Sequence, residues 1–264
     1  MKRIALSILL ILFLLLTSCQ GTNHDVYEVL EYLSEYTIYE NPAAEKEKTA
    51  IFLGESYALT YVESIALEDL VKRDYYNDEE NLLEFGYSSE DGKLLQISSK
   101  ARDQALIPNE GGTIGTDAYF SWVEETIAAV LEVDVDDYVL EWEPDYLGGN
   151  KEILEGYYIY YTKYIGGYRT HESVMVSTLP DGSLREFVHF EFPCHEAEGV
   201  VIDEKKLERT IKKCVGELSY RGKKYTVDDI MWGKCEGRIC LLCTVKVKTS
   251  DAKTSVFTWP VVLE

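Results

Sequence analysis

Positive charge is scarce in this chain. It carries 26 lysines and arginines against 47 aspartates and glutamates, a formal charge of −21. A surface of that sign cannot neutralise a phosphate backbone, which excludes nucleic acid as a partner. Histidine is scarcer still, and the four (His24, His171, His189, His195) include no His-Glu-x-x-His pair of a zinc protease. There is no Gly-x-Ser-x-Gly nucleophile turn and no phosphate-binding glycine loop. Gly111, Gly112 and Gly115 precede a helical pattern without the strand a dinucleotide site requires, and read as a linker. No cofactor is expected. The one long apolar run, Ile4 to Leu16, is interrupted only by Ser7. It falls short of the roughly 20 residues that cross a bilayer as a helix, and with Lys2 and Arg3 ahead of it fits a secretory leader.

Leu16-Thr17-Ser18-Cys19 closes that run and resembles the bacterial lipobox, a small residue before a cysteine. The resemblance implies lipid transfer to the Cys19 thiol, cleavage after Ser18, and acylation of the new amino terminus, with palmitate among the chains. An ordinary leader with a chance cysteine is the plainer alternative. The expected address is the extracytoplasmic face of the cell membrane, held by lipid. Losing Lys2 and Arg3 makes the mature chain two charges more negative, so the acyl chains must supply the membrane affinity.

The charge is unevenly placed. Asp117 to Glu155 holds twelve acids and Lys151 as its single base. Asp134, Asp136, Asp137, Glu141 and Glu143 cluster within it, but lack the central glycine and closing glutamate of a calcium loop. A solvated connection is the simpler reading. Lys205, Lys206, Arg209, Lys212, Lys213, Arg221, Lys223 and Lys224 form a basic stretch containing only Glu208 and Glu217 as acids. It is either a solvated helix face or a docking patch for anionic lipid or wall polymer.

Beyond Cys19 lie Cys194, Cys214, Cys235, Cys240 and Cys243, an odd number for an exported chain. Alternation from Ile239 to Lys248 sends Cys240 and Cys243 to opposite strand faces, against a shared metal. Cys235 and Cys240 flank Glu236-Gly237-Arg238, a turn that places them for a cross-hairpin disulfide.

Organisation follows from capping and periodicity. Asp25 caps a helical stripe of Val26, Val29, Leu30, Leu33 and Tyr36; Asn41 to Thr49 is a loop; Ile51 to Ile65 is strand-like. Leu82 to Ser99 reads as a hairpin turning at Ser89-Glu90-Asp91-Gly92. Asp117 opens a helix with Trp122, Ile127, Val130 and Leu131 recurring at helical spacing. Strands follow at Tyr138–Trp142 and Gly156–Ile165, then a hairpin at Ser173–Phe192 turning at Pro180-Asp181-Gly182. Asp203 caps a second such helix with Leu207, Ile211, Cys214, Val215 and Leu218 on one face, and strands at Tyr225–Trp232, Ile239–Lys248 and Val256–Leu263 close the chain. Asp91-Gly92-Lys93-Leu94 and Asp181-Gly182-Ser183-Leu184 match at a separation of ninety.

The expectation is an α+β protein of repeated modules, each a helix packed on an antiparallel sheet, after a cleaved lipoprotein signal peptide. Its segments are residues 1–18, the signal peptide; 19–48, the lipidated leash and short helix; 49–112, a divergent N-terminal module; 113–198, a second module; and 199–264, a third. The helix from Asp117, with Ile165-Gly166-Gly167-Tyr168, Ser173-Val174-Met175-Val176 and Asp181-Gly182-Ser183-Leu184 beyond it, resembles a PepSY-like domain over residues 113–198 and more loosely over 199–264. The resemblance implies an extracytoplasmic binding or regulatory module and carries over no catalytic residue.

Twenty tyrosines are the remaining oddity. Tyr157, Tyr158, Tyr160, Tyr164 and Tyr168 crowd one strand region, either as a partner-binding face or as half-buried sheet cover. Together with Lys205, Arg209, Lys212 and Lys213 they are the candidate partner-binding residues. The function expected is non-enzymatic protein or peptide binding, or regulation, at the cell envelope. The alternative is a wall-directed glycan- or peptide-binding protein or hydrolase using unassigned carboxylates.

Overall fold

The computed structural model describes residues 36–67, 70–147, 152–192, 197–217, 224–235, 238–248 and 254–262. Cys19, Cys194, His195 and the helix expected from Asp25 lie outside them, except for Tyr36, the last residue of that expected stripe, which begins a strand instead. Two compact units are present. The larger holds residues 36–203, 230–242 and 260–264; the described part of the smaller holds 204–229 and 243–259.

The expected α+β class is not what the chain adopts. It is mostly β, 55% strand and 15% helix, and the described residues hold only two helices. In the larger unit β1 (Tyr36–Tyr39), β2 (Glu47–Phe52), β3 (Glu55–Leu67), β4 (Arg73–Asp78), β5 (Leu83–Ser88) and β6 (Leu94–Ser99) precede α1 (Asp117–Leu131). β7 (Tyr138–Tyr146), β8 (Leu154–Ile165), β9 (Tyr168–Thr178) and β10 (Leu184–Phe190) follow it. The antiparallel order is β1-β3-β4-β5-β6-β10-β9-β8-β7, with β2 also on β3. Chain-order hairpins account for most neighbours. The decisive exception is β6 beside β10, with Phe187 opposite Ile97. That pair joins the segments expected as separate modules, 49–112 and 113–198, into one sheet. α2 (Glu204–Glu217) follows, then β11 (Lys224–Cys235), β12 (Arg238–Lys248) and β13 (Thr254–Val262).

Two strands run against the sequence reading: β2 begins at Glu47, inside the stretch expected as a loop, and β4 lies where Arg-Asp-Tyr-Tyr-Asn-Asp looks like a loop. The charges of β4 are buried with partners. Arg73 donates to Gln96 Oε1 at 3.2 Å and to the His189 carbonyl at 2.8 Å. Asp74 accepts from Ser64 Oγ and from Asn41 Nδ2. Asp74 and the two terminal nitrogens of Arg73 are bonded in this way, while Arg73 Nε is buried with no partner among the described residues.

α1 starts where its sequence says. The Thr116 side chain accepts from the Tyr119 N–H at 3.3 Å, and Asp117 sits in the positive first turn. Tyr119, Phe120, Val123, Ile127 and Leu131 bury one stripe against Phe85, Ile97, Ile159, Val174, Val176 and Phe187 of the sheet. The expected linker before it is instead a brace. Asn109 donates from its main chain to Ser183 Oγ at 3.1 Å and from Nδ2 to the Asp181 carbonyl at 2.7 Å, while the Tyr119 hydroxyl donates to the Gly182 carbonyl at 2.8 Å. Gly182 has φ +84°, and a Cβ there would lie 2.7 Å from Asn109 Nδ2 and 2.8 Å from Ile114 Cγ1. Only glycine fits this turn.

Candidate strand-docking edge

β7 is an edge strand: among the described residues it pairs only with β8. An antiparallel residue turns its N–H and C=O to the same neighbour, and the next residue turns both the other way. The Tyr138 N–H donates to the Val135 carbonyl and not to β8. Pro144, which has no N–H, is tolerated where that direction faces outward. Leu140 and Trp142 share this parity, so their N–H and C=O groups point to the open side.

The two faces of the edge differ in chemistry. Tyr138, Leu140, Trp142 and Pro144 lie on the α1 face. Trp142 leans on Phe120 and Tyr157, ring centroids 6.0 and 5.7 Å away, yet remains 44% exposed. Glu141 and Glu143 lie on the other face and are exposed, with Asp145 beside them. The edge thus offers unpaired backbone, an apolar rim on one side and a carboxylate row on the other.

The expected tyrosine site divides between the two faces of β8. Tyr157 lies on the α1 side with Trp142. Tyr158 and Tyr160 lie on the other, stacked at 6.2 Å. Burial pushes both of their hydroxyls above the usual phenol range. Tyr161 is buried, its hydroxyl reaching the Phe120 carbonyl at 3.5 Å. A register shift between Thr162 and Tyr164 leaves Tyr164 39% exposed, and Tyr168 pairs with Ile165 across the Gly166-Gly167 turn. The shared parity of Tyr158, Tyr160, Tyr164 and Tyr168 is therefore broken by a bulge and a turn.

On α2, in the smaller unit, Leu207, Ile211 and Val215 are buried, Cys214 is half-buried, and Lys205, Lys206, Arg209, Lys212 and Lys213 are exposed. Cys240 is fully buried on β12, and the Cys235 side chain lies outside the described residues. No group of three or more His, Cys, Asp or Glu side chains among the described residues is placed to hold a metal, the acidic cluster included.

Sequence reasoning missed a row of acids, half-buried at Glu84 and Glu186, on the sheet face opposite α1. Registers align Glu143, Tyr158, Ser177, Glu186, Ser98 and Glu84 across six strands. Burial raises the carboxyl of Glu84 to about 7, helped by the charge of Glu186 and opposed by Lys100, and burial raises Glu186 as well. His189 is also buried, neither ring nitrogen having a hydrogen-bond partner among the described residues, and desolvation pushes it down to about 3. Two clefts in this unit are lined by other residues, one by Tyr39, Lys46 and Tyr61 and another by Phe52, Tyr57 and Leu106. The alternation Glu84-Phe85-Gly86-Tyr87 was a usable signal for the facing of Glu84, but its burial depends on pairings distant in sequence.

No family model matches the chain, and neither does any curated protein or solved structure.

Proposed function

We propose that the protein is a lipid-anchored, non-enzymatic binding module of the cell envelope that captures an extended segment of a protein partner along the open edge of β7. The observation that carries this reading is the pairing of unpaired Leu140 and Trp142 backbone with two chemically distinct faces. An added strand satisfies those groups, and its alternate side chains meet different neighbours. Residues on the α1 side meet Leu140 and the exposed Trp142 ring. Residues on the other side meet Glu141 and Glu143. The segment that fits alternates apolar and basic residues, and the acidity of the surrounding stretch steers it in. Charges also protect an edge from unwanted pairing, and here they protect against acidic or uncharged strands while admitting basic ones.

The hydrolase alternative needs two carboxyls at a substrate cleft. Glu84 and Glu186 have the raised protonation such a mechanism uses, but they flank Ser98 on the open sheet face and line neither of the two clefts described above. Binding is the better-supported reading.

The test uses a peptide the length of β7 alternating lysine and valine, and a control of the same composition with lysines and valines in two blocks. The alternating peptide is expected to bind more tightly and to slow hydrogen exchange at the Leu140 and Trp142 amides. Trp142→Ala should weaken it at least several-fold. Equal binding of the two peptides, or binding that leaves both amides unprotected, would overturn strand addition.

A further inference from the structure

α2 carries a charge arrangement that strand capture does not use. At about 100° per residue, Lys205, Lys206, Arg209, Lys212 and Lys213 fall within an arc of about 120° on the helix surface. All five are exposed. The arc lies opposite the buried stripe of Leu207, Ile211 and Val215; Glu208 falls on the flank between the two, and Glu204 falls at the angle of the stripe, in the first turn. The five bases thus make up one exposed face of α2, with Glu208 at its margin, although acids outnumber bases across the chain.

The five bases run over about 12 Å of helix axis, as follows from the rise per residue. A flat anionic surface contacts all of them together, whereas a single small anion reaches one or two. We infer that the outer arc of α2 docks on the anionic headgroups of the membrane to which Cys19 tethers the chain. The inference rests on the tethered reading for its occupant and is independent of peptide capture at β7. One acyl anchor holds a protein near the bilayer; a basic patch supplies a second, orienting contact. Because the remainder of the molecule is acidic and repelled by the same headgroups, the patch sets which side of the smaller unit faces the membrane.

The experiment uses the chain from residue 20 onward, which lacks both leader and acylation site, so that binding reports the patch alone. Sedimentation with vesicles containing phosphatidylglycerol should recover it at low salt, and vesicles of phosphatidylcholine alone should not. Glutamine at all five positions should weaken binding on the order of a thousandfold or more, from the contribution of about 1 kcal/mol that each base makes near a charged surface. Raising the salt to physiological strength should weaken the wild type as the screening length falls to about 8 Å. Glu208→Lys, a charge reversal at an exposed position beside the arc, should strengthen binding, which guards against a folding defect in the glutamine variant. Equal recovery of wild type and glutamine variant, or equal recovery on the two vesicle types, would overturn the proposal. Binding to soluble inorganic polyphosphate without any binding to vesicles would overturn its membrane assignment.

Discussion

Replacing Glu84 by glutamine should stabilise the fold above neutrality and do little in acid. Glu84 sits on β5 opposite Ser98, with Glu186 on the far side of that serine, and burial raises its carboxyl from 4.5 to about 7. A raised folded-state value means that the native protein holds a proton the unfolded chain has released. Stability from this group is therefore complete below about 4.5 and is lost as the pH rises towards 7, after which it is constant. The interval corresponds to about 3 kcal/mol, an upper figure because Lys100 and local relaxation soften it. Glu186 acts in the same direction, and each charge opposes the other, so the two replacements should be less than additive. Urea unfolding at about pH 4.5 and about pH 8 measures the effect. Glu84→Gln should unfold at higher urea than wild type at the upper pH and nearly with it at the lower. Glu80→Gln, at an exposed position, removes one unit of net charge without the burial and should stay within about 0.5 kcal/mol at both. A Glu84→Gln protein with the pH dependence of wild type would refute the buried-proton argument.

Two further outcomes are expected. Cys19→Ala should abolish acylation, so that the protein either stays uncleaved at Ser18 or is released from the membrane; unchanged mass and detergent partitioning would refute the lipid tether. Gly182→Ala should cost about 1–3 kcal/mol in urea unfolding, from the positive φ and the collision with Asn109 and Ile114, and an unchanged midpoint would show that the 108–116 brace yields freely.

Local signals carried the hairpins and helix starts. Asp91-Gly92 and Asp181-Gly182 turn β5–β6 and β9–β10, with Gly92 at φ +74° and Gly182 at +84°. The α2 stripe of Leu207, Ile211 and Val215 is buried as its spacing requires. What local signals do not carry is which hairpin pairs with which. The ninety-residue match of the two turns suggested repeated modules, yet β6 pairs with β10, a contact that no periodicity encodes. β4 was illegible because Arg73 and Asp74 resemble solvent-facing charges until Gln96, the His189 carbonyl and Ser64 come to them from remote segments. The β7 edge was legible in part. Its acids were noted as a cluster, but that the strand has an open side depends on sheet order alone.

The two proposed contacts both draw on charge, and salt separates them. At α2 the attraction is between exposed bases and headgroups, which counterions screen almost entirely. At β7 the steering by Glu141 and Glu143 is equally screened, but the backbone bonds of Leu140 and Trp142 and the burial of Trp142 against an apolar side chain are not. Peptide capture should therefore lose on-rate with salt and retain much of its residence time, whereas vesicle docking should lose affinity outright. An acidic chain that used charge alone would release its partner and its membrane contact under the same conditions. Because strand capture adds backbone pairing, the two are separable in one titration: salt that frees the unlipidated chain from anionic vesicles should leave the alternating peptide bound, with the Leu140 and Trp142 amides still protected. Loss of that protection at the salt concentration that abolishes vesicle binding would mean that β7 holds its peptide by charge and not by pairing.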